Sequence, residues 1–338
     1  IDRLLCRLNP ETTVFIIASK SFTTHETLQN AATARRWLYE NMKADAEAIA
    51  RNHFLAVSGD HDKARNFGIA EDNILHIPDW VGGRFSLWSA VGLPISIACG
   101  HNVFEQLLSG ARAMDTHYRE ARLAANMPVM ASLLGIWYRN FLDARAQAVL
   151  CYDDRLALLP DWLQQLDMES NGKSFDRNGH ALPHATGPTV FGATGTNAQH
   201  AFFQHLHQGA DMIPCDFICA REAGHGYDTH HKELLANFMA QQQALAVGEP
   251  DQGFAGNVPT NAIVLKALDG YHLGSLLAFY EHKITTPGFV WGLNSFDQPG
   301  VELGKKLIPA MLDSLADTHT TAAEKVKAVK GLCKSLKT

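Results

Sequence analysis

Short runs of β-branched and apolar residues alternate along this chain with longer stretches in which apolar positions recur every three or four residues. The run from Thr12 to Ala18 predicts a buried strand, and the stretch from Leu28 to Met42 predicts a helix. A second strand is expected over His53–Ser58, closed by Gly59 and Asp60, with a short helix from Asp62 to Phe67 and a third strand over Ile74–Ile77 that Pro78 stops. This rhythm predicts an α/β fold with a parallel sheet and crossover helices, whose ligands sit beyond the carboxyl ends of the strands. Phe104–Ala125 carries an apolar stripe through Leu107, Leu108, Ala111, Met114 and Tyr118, whereas Met130–Ala148 is more apolar throughout and is expected to be buried. Ala148–Tyr152 then opens a second α/β unit, so a domain boundary is expected near residues 90–100, around Gly92-Leu93-Pro94.

Composition narrows the class. With 338 residues, 46% of them hydrophobic, the chain can bury more than one core. A net charge of -6 disfavours a nucleic-acid binder, and no stretch approaches the eighteen apolar residues of a membrane span. The six cysteines (Cys6, Cys99, Cys151, Cys215, Cys219 and Cys333) follow no zinc or redox spacing, which points to free buried thiols in a reducing cytoplasm. The seventeen histidines form no metal-binding pattern, so no metal is expected.

Four stretches carry candidate chemistry. Ser19–Thr27 places five hydroxyls and Lys20 between the first strand and the next helix, and Thr23 with Glu26 reads as a capping box that starts the helix at Thr23. A helix N-terminus with hydroxyls and a lysine suits a phosphate monoester; the same residues also suit an ordinary capped turn. In Asp79–Ser89, two glycines allow close backbone approach and are followed by Arg84, a fixed cation, with Ser86 available to cap a helix; a tight turn with an exposed arginine is the plainer reading. A helix from Leu158 runs to Glu169 and ends near Gly172, with Gln165 and Glu169 four apart on one face, either a substrate-facing amide and base or a solvated surface pair. In Gly192–Gly209, Thr196 or Asn197 would cap a helix with His200 in its first turn, a proton shuttle or a structural donor.

Taken together, these stretches resemble the phosphoglucose isomerase (glucose-6-phosphate isomerase) family. Ser19–Thr27 matches that family's Ser-Lys-Thr-Phe-Thr-Thr-x-Glu-Thr, with Ser21 for threonine, and Gly82–Ser86 matches its Gly-Gly-Arg-aromatic-Ser. Asp167–Lys173 matches Asp-Met-Glu-Ser-Asn-Gly-Lys, Gly195–Phe202 matches Gly-Thr-Asn-x-Gln-His-Ala-Phe, and His230–Phe238 matches His-His-x-x-Leu-Leu-Ala-Asn-Phe. Asn294–Lys305 matches the closing signature, except that Pro299 stands where tryptophan is usual.

The resemblance implies two sugar-isomerase (SIS) domains, each a three-layer αβα unit with a mainly parallel sheet. Residues 1–97 would be the remainder of the first domain, 98–310 the second, and 311–338 a C-terminal helical tail. The family's long N-terminal segment, with a Gly-Ile-Gly-Gly-Ser loop, has no counterpart here, so the first domain is expected to be incomplete. The implied reaction interconverts glucose 6-phosphate and fructose 6-phosphate through a cis-enediolate, in glycolysis and gluconeogenesis, without a cofactor. Ser19, Lys20, Ser21 and Thr24 would bind the phosphate, with Gly83, Gln165 and Gln298 also contacting substrate. Glu169 would be the base, Arg84 would stabilise the enediolate, and His200 and Lys305 would assist ring opening. His200 would reach across a homodimer interface, and the protein would be cytoplasmic. The alternatives are a non-catalytic sugar-phosphate-binding SIS module, which predicts loss of the base although Glu169 and His200 are present, and an inactive structural fragment.

Overall fold

The computed structural model describes residues 1–316. It divides into a large unit, Ile1–Ser295, and a second unit beginning at Phe296.

The large unit holds two parallel sheets. The first has the order β1 (Phe15–Ala18), β2 (Phe54–Ser58), β3 (Ile74–His76), with Phe15 opposite Phe54 and Ala56 opposite Ile74. One face packs Ile17, Phe54 and Ala56 against Ala31, Ala34 and Leu38 of helix α1 (His25–Asn41); the other packs Val57 and Ile16 with Ile77 and Val81. The predicted strands are each slightly longer than the observed ones, because chain flanking a ladder keeps the same composition without pairing.

Helices α2 (His101–Glu120) and α3 (Met127–Phe141) lead into the second sheet. Its strands are β4 (Ala146–Tyr152), β5 (Thr189–Thr194), β6 (Cys215–Ala220) and β7 (Thr260–Leu265), in the order β5-β4-β6-β7, all parallel. Successive residues of β4 point to opposite faces and build two cores. Ala148, Leu150 and Tyr152 meet Phe238 and Leu245, whereas Val149 and Cys151 meet Leu159, Leu163 and Leu166 of the segment after β4, together with Leu276, Tyr280 and Ile284. Each fully buried leucine contributes about 1.5–3 kcal/mol. The segment after β4 begins with helix α4 (Leu159–Leu163) and runs on through Leu166; α5 (Asp228–Val247) covers the first core and α6 (Gly270–Trp291) the second. The result is an αβα sandwich, as the sequence predicts. The second unit contains α7 (Pro299–Ala316). Cys333 and most of the expected tail lie outside the described residues.

Two expectations change. Helix α3 is not buried: Pro128 and Ser132 are, but Met130, Leu133, Leu134, Trp137 and Phe141 are exposed, with Trp137 and Phe141 stacked at 5.1 Å. Its inner face serves α6 through a polar contact. Pro287 lacks the N–H that would cap the Lys283 carbonyl, and Ser132 Oγ donates to that carbonyl instead at 2.7 Å. The thiols also divide: Cys6 and Cys99 are exposed, whereas Cys151, Cys215 and Cys219 are buried. Burial pushes the Cys151 thiol up to about 12 and that of Cys219 to about 11, which leaves both protonated and inert.

Among the described residues, no helix is long and apolar enough to cross a membrane.

Candidate active site

The hydroxyl-rich turn leaves β1 at its carboxyl end. Ser19 N donates to the Val57 carbonyl, continuing the ladder, and Lys20 O accepts from Gly59 N (2.8 Å) and Ser58 Oγ (3.1 Å). Phe22 then takes a left-handed conformation (φ 47°) with its ring buried, a strained geometry for a bulky residue that the packing enforces. Helix α1 starts one residue later than the capping-box reading placed it. Thr24 is the N-cap, and its hydroxyl pairs with Ser19 Oγ (3.1 Å) while Thr23 pairs with Ser21 (2.7 Å), so no side chain caps the helix. The first-turn N–H groups of a seventeen-residue helix therefore face the turn without a side-chain acceptor, the arrangement that favours an anion. Lys20 Nζ donates to the Asp79 carbonyl at 2.5 Å, tying the turn to the segment after β3.

Five residues past Asp79, Arg84 lies in a short 3₁₀ turn, Gly83–Phe85, that Gly83 begins. Ser86 does not cap a following helix; its hydroxyl donates back to the Gly83 carbonyl, and Ser89 caps the next turn. The Arg84 side chain is not exposed as the plainer reading had it: it retains 2% of its exposure. Its guanidinium donates from Nε to Ser170 Oγ (2.7 Å), from Nη1 to Glu169 Oε2 (3.1 Å) and from Nη2 to the Ser295 carbonyl (2.6 Å).

Glu169 ends a six-residue π-helical stretch, Gln164–Glu169, that continues α4. The stretch widens the turn where four-residue α spacing was expected, a feature that recurs at functional sites. Gln165 Nε2 still reaches Glu169 Oε2, weakly, at 3.4 Å. The Glu169 side chain keeps 21% exposure, so its carboxylate has a buried cation on one side and an opening on the other. Beneath it, Asn171 donates to Asp167 Oδ1 (3.0 Å), and burial pushes the Asp167 carboxyl up to about 6. Its native pKa exceeds the unfolded value of 3.8, so this group's contribution to stability falls as pH rises between the two and is flat above.

His200 lies elsewhere. It is exposed at the C-cap of a five-residue helix, Gly195–Gln199, because Gly195 and Thr196 are already helical and Thr194 is the N-cap. Asn171 packs beside Gly187, before β5 begins, whereas Gly195 packs on Tyr152 where β5 ends. Glu169 and His200 of one chain thus flank opposite ends of β5, which at ~3.3 Å per residue is roughly 20 Å long. Gln298 and Lys305 belong to the second unit, Gln298 just before α7 and Lys305 on it, both exposed. The structure therefore joins Arg84, Gln165 and Glu169 directly, links the Ser19–Thr24 turn to them through Asp79, and leaves His200 apart.

Ser170, Asn171 and Ser295 hold this site but were given no role by sequence reasoning; their one signal is that they lie within the Asp167–Lys173 motif or the closing signature. Among the described residues, no group of three or more His, Cys, Asp or Glu is placed to hold a metal ion.

The comparisons with known proteins agree with one another. A family model described as phosphoglucose isomerase matches residues 1–332. A glucose-6-phosphate isomerase of Chlorobium phaeobacteroides is 49% identical, over 96% of this chain and 62% of its own length. One of Dechloromonas aromatica is 47% identical, over 100% of this chain and 66% of its own. The chain therefore spans less than two thirds of these relatives. The crystal structure of a glucose-6-phosphate isomerase from Chlamydia trachomatis superposes with a TM-score of 0.84 at 36% identity, covering 99% of this chain and 65% of that one.

Proposed function

This chain belongs to the phosphoglucose isomerase family, and from that premise we propose that it contributes the base, the charge-stabilising cation and the phosphate anchor for interconversion of glucose 6-phosphate and fructose 6-phosphate. The observation that carries this reading is the buried guanidinium of Arg84 set 3.1 Å from a partly open carboxylate, Glu169. In the open-chain aldose, Glu169 takes the hydrogen from C2 as a proton, and the C–H electron pair forms the C1=C2 bond of a cis-enediolate. The C1=O π pair moves onto O1 as that bond forms; the same carboxyl group then returns the proton to C1 while the C2 oxygen passes its own proton to O1 and becomes the ketone. One base serves both carbons because they are adjacent. Arg84 faces the oxygens on which negative charge develops, an interaction strongest in the transition state. Ser19, Lys20, Ser21 and Thr24, with the N-terminus of α1, hold the phosphate, whose binding energy orients the reacting carbons. Gly83 and Gln165 line the sugar. The division into domains at residues 97 and 98, between the two sheets, and a cytoplasmic location belong to the same reading.

Because His200 and Glu169 flank opposite ends of β5, a homodimer in which the partner supplies the histidine accounts for both residues in one site. Complementation tests this. Glu169→Gln and His200→Ala variants, each expected to be nearly inactive, are co-expressed and assayed for formation of glucose 6-phosphate from fructose 6-phosphate. Random pairing in a two-fold dimer restores roughly a quarter of wild-type activity, since half the dimers carry one intact site. No recovery in verified heterodimers contradicts delivery of the histidine in trans.

A further inference from the structure

The aim of Arg84 depends on a backbone carbonyl whose own position is fixed at several points. The Ser295 carbonyl accepts from Nη2 of Arg84 at 2.6 Å. The segment that carries it is pinned as it leaves α6. Leu293 N donates to the Gly288 carbonyl at 2.8 Å, the Asn294 carbonyl accepts from Lys173 Nζ, and Ser295 Oγ donates to Asn171 Oδ1 at 3.0 Å. Asn171 completes the joint by donating to Asp167 Oδ1 (3.0 Å) and the Ile284 carbonyl (2.8 Å). Ser295 and Asn171 are 3% and 1% exposed, so these bonds form without competition from water. Gly288 makes room for the arrangement, because a Cβ there would lie 2.0 Å from Ser295 Oγ, far inside van der Waals contact.

We propose that Asn171, Ser295 and Gly288 form a mount that sets the orientation of Arg84 toward the reacting carbons, and so act as positioning residues for the isomerisation. The inference rests on the reading of Arg84 and Glu169 given above. The Asn171 side chain joins the end of the helix that carries Glu169 to the segment that carries the Ser295 carbonyl. Arg84 bridges the same two elements through Ser170 Oγ and that carbonyl. Carboxylate and guanidinium are thereby kept in register across residues 85 and 211 positions apart in sequence from Arg84. The mount touches neither the phosphate turn nor the base, so disturbing it should alter the transition state more than the ground state.

The test uses three variants and one control, each checked for folding by circular dichroism and thermal melting. Gly288→Ala pushes Ser295 outward and is expected to lower kcat by about 10- to 100-fold, the scale of a misplacement near 1 Å, with KM for fructose 6-phosphate changed less than about threefold. Ser295→Ala keeps the carbonyl and loses only the bond to Asn171, and is expected to lower kcat by roughly three- to tenfold. The double variant removes the oxygen that the new methyl group strikes, and should match Ser295→Ala rather than fall below Gly288→Ala. Affinity for an inhibitor with a planar anionic group in place of the enediolate, such as a sugar-acid phosphate, should fall in step with kcat. Wild-type kcat in folded Ser295→Ala or folded Gly288→Ala, or a rise in KM without a fall in kcat, overturns the mount. Should Gly288→Ala not fold, Ser295→Ala decides alone. Glu169→Gln is the control: if it is inactive while the mount variants behave as wild type, only the mount is wrong; if it is fully active, the reading of the site fails as well.

Discussion

Replacing Glu169 by glutamine is expected, on the function proposed above, to lower kcat for fructose 6-phosphate by about 10³-fold, within the range contributed by a positioned acid–base group. Glutamine keeps the length of the side chain and an oxygen that can accept from Arg84 Nη1, now 3.1 Å from the carboxylate. It removes the basic oxygen proposed to take the hydrogen from C2. KM should change little, because the hydroxyls and helix terminus proposed to hold the phosphate belong to a different sheet. Exchange of the C2 hydrogen with solvent, followed by NMR in deuterated buffer, should be lost in parallel, since it needs only the first half of the reaction. Activity within tenfold of wild type in folded protein would remove Glu169 from the role of base.

Removal of Asp216 is expected to destabilise the protein by about 3–5 kcal/mol, the usual cost of stranding a buried charge. Asp216 is 1% exposed on β6, an interior strand of the second sheet. Its Oδ2 accepts from Lys283 Nζ (2.7 Å), Gln147 Nε2 (2.7 Å) and Tyr280 OH (3.1 Å), and Oδ1 accepts from Asn261 Nδ2 (2.8 Å). Asp216→Ala leaves the buried Lys283 ammonium and Tyr280 hydroxyl, and the half-buried amides of Gln147 and Asn261, without that acceptor. Removing both charges in Asp216→Ala/Lys283→Met should recover part of the loss, because the cation is the costliest orphan. Urea unfolding of wild type, the two single variants and the double variant gives the coupling energy directly. A loss below about 1 kcal/mol for Asp216→Ala would show that water reaches the network and solvates what the carboxylate leaves.

Much of the fold is legible in the sequence because the period of burial is written into it. The runs expected as strands over 12–18, 53–58, 74–77 and 148–152 became parallel strands, and the alternation along β4 separates the two cores. The turn after β1 announced itself through its hydroxyls. Other features depend on partners far along the chain. That Thr24 rather than Thr23 ends the turn follows from pairing of Ser19 with Thr24 and of Ser21 with Thr23. Helix α3 carries an apolar composition whose use no local pattern reveals, and here most of it faces outward. The burial of Arg84 was hidden for the same reason, since its acceptors lie 85, 86 and 211 residues away. The sequence places His200 in a first turn because its glycine is expected to precede the helix, whereas Gly195 begins it. The π-helical stretch before Glu169 has no local signature, because its widening is set by packing on β5 and α6.

The central claim is spatial: Glu169 and Arg84 close on two adjacent carbons of a sugar whose phosphate rests on the turn after β1. A crystal structure of the protein with a non-isomerisable six-carbon polyol phosphate measures this directly. The account predicts the phosphate on Ser19, Ser21 and Thr24, with the Glu169 carboxylate about 3–3.5 Å from C1 and C2. A phosphate bound away from that turn, or a Glu169 carboxylate that C1 and C2 do not approach, would contradict it.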